Sequence, residues 1–174
     1  MAALLLPIAV GGWMVGEGLI DLLYRGKFAG AAPIFQVLAV SYACLALGTF
    51  LGNTLLAEDR QKWYFSPLVI SSLVAIGGIW WLVPRFGGQG AAWGILMAHG
   101  LLLISLVVVN WRNFSALLGQ TLVGVLPALA AMVLLLRALP EAPVLLRIPL
   151  AAAVYLALAF YPLLRLRRRS RWAS

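Results

Sequence analysis

Six long apolar runs, separated by short connections, limit the folds that are open to this chain. A helix needs about 20 mostly apolar residues to cross the hydrocarbon core of a bilayer, and each run is close to that length. The runs lack the alternation of barrel strands, and only helices or closed barrels satisfy the backbone in lipid. The sequence therefore predicts an all-α membrane protein, a bundle of about six transmembrane helices. They cover residues 3–24, 31–57, 65–83, 90–109, 116–136 and 148–164.

Composition supports the same class. Of the 174 residues, 64% are hydrophobic and 10% are charged. A soluble domain of this size cannot bury so much apolar surface. The connections are too short to hold a soluble domain, so we expect residues 1–174 to form a single bundle. In that bundle, residues 110–174 add two helices and a basic tail to residues 1–109.

The net charge of +8 is concentrated at one end of the chain. A basic segment beside a membrane helix usually faces anionic lipid on the cytoplasmic side. We therefore expect an inner (cell) membrane protein with a cytoplasmic C-terminus, contacts with membrane lipids and no nucleic-acid partner. With six crossings, the cytoplasmic segments carry eight basic residues and the outer segments carry five. The last ten residues contain Arg165, Arg167, Arg168, Arg169 and Arg171.

The stretch WLVPRFGGQGAAWG, residues 81–94, predicts a tight hairpin between two helices. Pro84 lacks an amide donor and is expected to end the first helix. The glycines permit the reversal, and small residues from Gly90 onward allow close helix packing. Five tryptophans are predicted to lie near membrane interfaces, where indole rings are enriched. They are Trp63, Trp80, Trp81, Trp111 and Trp172.

Four residues are candidates for a substrate or ion pathway: Glu17, Asp21, Arg25 and His99. The first three follow i, i+4 spacing, which places them on one helix face. Glu17 could line a wet cavity that binds a cation, a proton or a sugar group. In the structural alternative, Asp21 and Arg25 form a pair at the interface and Glu17 is hydrogen-bonded to a neighbouring helix. His99 stands alone in the fourth predicted helix, where a helix–helix hydrogen bond is the more common role of a neutral histidine.

The turn between the second and third predicted helices is densely charged. Glu58, Asp59, Arg60 and Lys62 are candidates for a cytoplasmic gate, although a solvated turn would have the same composition. We expect no enzyme activity, because no nucleophile–base arrangement is visible. We also expect no cofactor and no metal site, since the single Cys44 and the single histidine offer too few ligands.

Pairs of small residues and one proline predict features of helix packing. Gly12 with Gly16, and Gly48 with Gly52, match the small-xxx-small pattern of packed membrane helices. Pro127 falls inside the fifth predicted helix and is expected to kink it.

Three short motifs, in order, resemble polysaccharide-biosynthesis flippases of the multidrug/oligosaccharidyl-lipid/polysaccharide exporter superfamily. The resemblance covers residues 4–109, and the last two helices match by hydropathy alone. In the family's "lyG-x-x-f" turn the glycine, here Gly26, is displaced by Arg25, and in the next motif Asp59 stands where glycine is common. The matching residues are Tyr24, Gly26 and Phe28; Leu56, Ala57, Arg60 and Lys62; and Pro84, Phe86, Gly87, Gly90, Ala91 and Ala92.

The resemblance implies translocation of a lipid-linked oligosaccharide by two helical bundles that rock about a central cavity. It implies that this chain is the C-terminal bundle, the last six of up to fourteen helices, and that an N-terminal helical lobe of the same protein is its missing partner. A cation-coupled drug antiporter of the same superfamily and a lipid II flippase are alternatives. A small oligomeric membrane scaffold is an alternative from another class.

Overall fold

The computed structural model describes residues 2–25, 27–28, 30–138, 143, 146 and 148–157. In these ranges the chain is helical and contains no strand, which confirms the all-α prediction. The helices are α1 (Ala2–Tyr24), α2 (Ala31–Ala57), α3 (Gln61–Val109), α4 (Trp111–Ala138) and a shorter apolar helix, α5 (Ile148–Ala157). Three of them, α1 from Leu6 onward, α2 and α3, are long and apolar enough to cross a membrane.

Part of the predicted architecture lies outside the described residues. This applies to the end of the sixth predicted helix, to the five arginines of the tail, to Gly26 and to Trp172.

The long helix α3 is a hairpin of two helices that meet at Gly87. A Cβ atom on Gly78 would lie 3.2 Å from the Cα of Gly94, and one on Gly90 would collide with the carbonyl oxygen of Leu82. Both pairs are centred on residue 86, so the two halves run antiparallel. The halves, 61–86 and 88–109, span about 39 Å and about 33 Å at the helical rise, and each exceeds the hydrocarbon thickness. The predicted hairpin is therefore confirmed.

The turn of this hairpin differs from the sequence expectation. Pro84 does not end the helix; the break is at Gly87, whose φ of 58° and ψ of −137° are accessible chiefly to glycine. Pro67 also lies inside the helix, because α3 begins at Gln61 and not at the predicted residue 65. A proline inside a membrane helix is tolerated where its surroundings satisfy the freed carbonyl group.

Helix α2 lies between α1 and the α3 hairpin. Gln36 donates a hydrogen bond to the carbonyl oxygen of Trp13, where α1 runs antiparallel to α2. Ile34 lies against Gly88 near one end of α2, and Thr54 contacts Asn110 near the other, so α2 runs parallel to the second half of α3. The core between α2 and α3 is formed by Leu51, Leu55, Leu102 and Leu106.

Both predicted glycine pairs are packing positions within the chain. A Cβ atom on Gly12 would lie 2.9 Å from the Cβ of Ala39, and one on Gly16 would lie 2.9 Å from the Phe35 ring. Gly48 faces Leu102, and Gly52 lies directly under the ring of Tyr64. The glycines of α1 and α2 thus bring neighbouring helices into close contact, as their spacing predicts.

The chain divides into two compact units, Met1–Ala116 and Leu117–Ser174. All of the candidate site residues belong to the first. In the second, α4 continues through Pro127 and buries Ala128, Met132 and Leu136 at intervals of four residues, so one face of the helix is covered.

Candidate functional site

The three charged candidate residues at the end of α1 are exposed and do not pair with one another. Glu17, Asp21 and Arg25 have no ion pair or hydrogen bond with one another or with other described residues. Arg25 lies just beyond the helix, with a φ of 50°, so its side chain does not continue the face that carries the two acids. The structural pair considered for these residues is absent from the described part of the chain.

Glu17 lies toward the end of the bundle that holds the hairpin turn. Its neighbour Gly16 packs on Phe35, in the second turn of α2, and Ile34 contacts Gly88, next to the turn. An acid at this level is closer to water than one in the middle of a membrane span, which lowers the cost of its exposure.

His99 forms a hydrogen bond between two helices. Its Nδ1 lies 2.8 Å from the Oγ of Ser41, which is completely buried. The Tyr42 ring lies beside the imidazole, with 6.4 Å between ring centroids. The helix–helix hydrogen bond that is common for a lone histidine is therefore present here, and it joins α2 to the second half of α3.

The charged turn between α2 and α3 is stabilised by local contacts. Arg60 Nη1 lies 3.5 Å from the Oε2 of Glu58, and its guanidinium lies 5.8 Å from the centre of the Trp63 ring. Asp59 has a φ of 55°, as expected in a tight reversal, and Lys62 is exposed. This ion pair joins residues of one turn, so it does not connect two helices.

A polar line on α2 was not predicted from the sequence. Four positions of α2 are exposed, and they fall on one face of the helix: Tyr42, Thr49, Asn53 and Ala57. Three of these four side chains are polar, although the most apolar 18-residue window of α2 has a mean hydropathy of 1.9. The spacing of seven and four residues could have suggested the line, but only the structure shows which face of α2 is left open.

The polar line borders an open groove of about 870 Å³ along α1 and α2. Apart from Tyr42, Thr49 and Asn53, its walls are apolar, with Ile8, Phe35 and Phe50 among the larger side chains. The Thr49 hydroxyl donates to the carbonyl oxygen of Leu45, whereas the Asn53 amide has no partner among the described residues. The groove therefore offers an apolar surface with hydrogen-bonding groups along one wall.

A second polar contact, which was not predicted from the sequence, joins the C-terminal ends of α2 and α3. Asn110, which is 3% exposed, donates from its Nδ2 to the Oγ1 of Thr54 over 2.6 Å. The Thr54 hydroxyl in turn donates to the carbonyl oxygen of Leu51 over 2.7 Å. These two bonds hold the end of the helix pair opposite to the hairpin turn.

Comparisons of the chain with family models, curated proteins and solved structures found no match. Over the described ranges, no group of three or more His, Cys, Asp or Glu side chains is placed to hold a metal ion. In its described part the chain is thus all-helical, with three helices long and apolar enough to cross a membrane and with a polar line on an open face of the central helix.

Proposed function

We propose that this chain is one lobe of a membrane transporter that moves a lipid-linked oligosaccharide across the inner (cell) membrane by alternating access. One observation carries the proposal: three of the four exposed side chains of α2 are polar, while the exposed side chains of the neighbouring helix 61–86 are mostly large and apolar. On that helix, exposed positions include Val69, Ile70, Leu73 and Ile76. A helix face that contacts only lipid has no use for a row of three polar side chains, because polar groups in hydrocarbon must find their partners within the protein.

The chemistry of the groove suits a substrate with a sugar part and a long apolar part. The hydroxyl groups of Tyr42 and Thr49 and the amide of Asn53 offer both donors and acceptors to sugar hydroxyls. The apolar walls offer a surface for an isoprenoid chain. The resemblance to oligosaccharide flippases supports this substrate class independently of the groove.

A second helical lobe, facing the polar line, completes the proposed transporter. In the proposed topology the C-terminus is cytoplasmic, and the turn that holds Glu58, Asp59, Arg60 and Lys62 forms part of the inner gate. Glu17, Asp21 and Arg25 then lie near the outer mouth, on the same side as the turn at Gly87. His99 supports α2 from behind through Ser41.

The alternatives differ in what the open face contacts. A drug antiporter or a lipid II flippase would use the same face for another substrate. A small oligomeric scaffold would use it to bind a copy of itself, since both glycine pairs of α1 and α2 are already covered within the chain.

Replacement of polar residues on the open face tests the proposal in the source organism. The gene that encodes the chain is replaced by a variant that carries Thr49→Val or Asn53→Leu. A variant with Leu73→Ala, on the outward face of helix 61–86, is the control. We expect the two polar variants to lower lipid-linked export of polysaccharide about five- to tenfold, as expected for the loss of one hydrogen bond to the substrate. The control should export normally, and all variants should reach wild-type protein levels in the membrane. Normal export by both polar variants would refute the proposal.

A further inference from the structure

Two arginine–tryptophan pairs lie at opposite ends of helix 61–86. At one end the Arg60 guanidinium lies 5.8 Å from the centre of the Trp63 ring. At the other end the Arg85 guanidinium lies 4.2 Å from the centre of the Trp81 ring. Both distances fall within the range of cation–π contacts.

The separation of the two tryptophans matches the thickness of a bilayer core. Trp63 and Trp81 are 18 residues apart, which is about five helical turns and about 27 Å. Because the number of turns is close to whole, both rings lie on the same side of the helix. The hydrocarbon core of a bilayer is about 30 Å thick.

Most of the exposed side chains between the two pairs are large and apolar, with Ser66 and Ser72 as the exceptions that carry a hydroxyl group. Phe65, Val69, Ile70, Leu73 and Ile76 are all at least half exposed. The exposed hydroxyl of Ser72 donates to the carbonyl oxygen of Leu68, in its own helix. A face of this kind needs no polar partner and suits acyl chains.

The two ends differ in charge. Glu58 neutralises Arg60 at a distance of 3.5 Å. Arg85 is exposed and has no acidic partner among the described residues. A guanidinium group is a good ligand for phosphate oxygens, and a stacked indole ring holds its orientation.

We propose that the outward face of helix 61–86 contacts lipid, that its two arginine–tryptophan pairs mark the two bilayer interfaces, and that Arg85 with Trp81 binds the phosphate of a phospholipid headgroup. This surface lies on a different helix from the polar line of α2 and does not require a transport function. Anionic phospholipids fit best, because they bring a phosphate without a cationic group beside it.

The same assignment sets the level of Glu17 in the membrane. The contacts from Gly16 to Phe35 and from Ile34 to Gly88 place it within about one helical turn of the Trp81 level. Glu17 then lies at the interface on the Arg85 side, where an exposed carboxylate retains water.

Lipid retention by the purified full chain tests the headgroup site. The probes are phosphatidylglycerol, phosphatidylcholine and inorganic phosphate, and native mass spectrometry counts the bound lipids. We expect the wild type to retain phosphatidylglycerol, and Arg85→Gln to bind it about fivefold more weakly, the effect of about one surface charge. Arg60→Gln, with the same change in net charge, should bind as the wild type. Equal binding by wild type and Arg85→Gln, equal weakening by both variants, or competition by inorganic phosphate would each overturn the proposal.

Quenching of tryptophan fluorescence in liposomes tests the depth of the pairs. The fluorescence of each variant, Trp63→Phe or Trp81→Phe, is subtracted from that of the wild type to give the contribution of the missing tryptophan. The liposomes contain lipids whose acyl chains are brominated either near the carbonyl group or near the methyl end. Both contributions should be quenched more strongly by bromine near the carbonyl. Stronger quenching by bromine near the methyl end, or no quenching at all, would contradict the assignment.

Discussion

The hydroxyl of Ser41 and the imidazole of His99 lie 2.8 Å apart, although 58 positions separate them in the chain. Ser41 is completely buried, so its hydroxyl has no access to water. This contact joins the central helix α2 to the second half of the α3 hairpin, directly behind the exposed Tyr42. The packed side and the open side of α2 therefore meet at adjacent residues.

The Ser41→Ala variant should lose stability, because it removes the hydroxyl and leaves Nδ1 of His99 without its partner. We expect a loss of about 1 kcal/mol in the free energy of unfolding, within the range for hydrogen bonds between membrane helices. Unfolding in mixed detergent micelles measures it. Ser72→Ala is the matched control, because the Ser72 hydroxyl bonds only to its own helix. Equal losses in the two variants would contradict the role given to Ser41.

The contact between Asn110 and Thr54 should show energetic coupling. In a double-mutant cycle with Asn110→Leu and Thr54→Val, we expect a coupling energy of about 0.5–1 kcal/mol, because either single change removes the same bond. The cycle uses the same unfolding assay. Strictly additive effects would mean that the bond does not contribute to stability.

Glycine is required at the hairpin turn for its backbone conformation. Gly87→Ala should destabilise the protein by about 1–3 kcal/mol, because a Cβ atom is strained at a φ of 58° and a ψ of −137°. The matched control is Gly77→Ala, in the first half of α3, where a Cβ atom would meet nothing within 4 Å. We expect that control to be neutral or slightly stabilising, since alanine favours a helix. If Gly87→Ala is as stable as Gly77→Ala, the turn does not have the conformation described.

Labelling of single cysteines should place the two ends of α2 on opposite sides of the membrane. In a Cys44→Ser background, Lys27→Cys and Lys62→Cys each introduce one exposed thiol, before and after α2. An impermeant maleimide should label the first in intact cells and the second only after permeabilisation. The reverse pattern would invert the proposed orientation but leave α2 transmembrane. Labelling of both thiols from the same side would contradict a membrane crossing by α2.

The hairpin illustrates how far local sequence rules extend. Proline and glycine between two apolar runs placed the reversal within a few residues, because the chain needs such residues to turn. They did not locate the break itself. Pro84 costs its helix only local hydrogen bonding, whereas Gly87 adopts a backbone conformation from which other residues are largely excluded. The break therefore follows the glycine.

Hydropathy, length and side-chain size were enough to predict the all-helical class, the apolar runs long enough to cross a membrane and the glycine positions at which helices pack. The sequence did not reveal that Ser41 is the partner of His99, that Asn110 contacts Thr54, or that Tyr42, Thr49 and Asn53 share an open face. Each of these depends on which side of α2 is covered by its neighbours. Helical periodicity assigns residues to a face, but packing decides which face stays exposed.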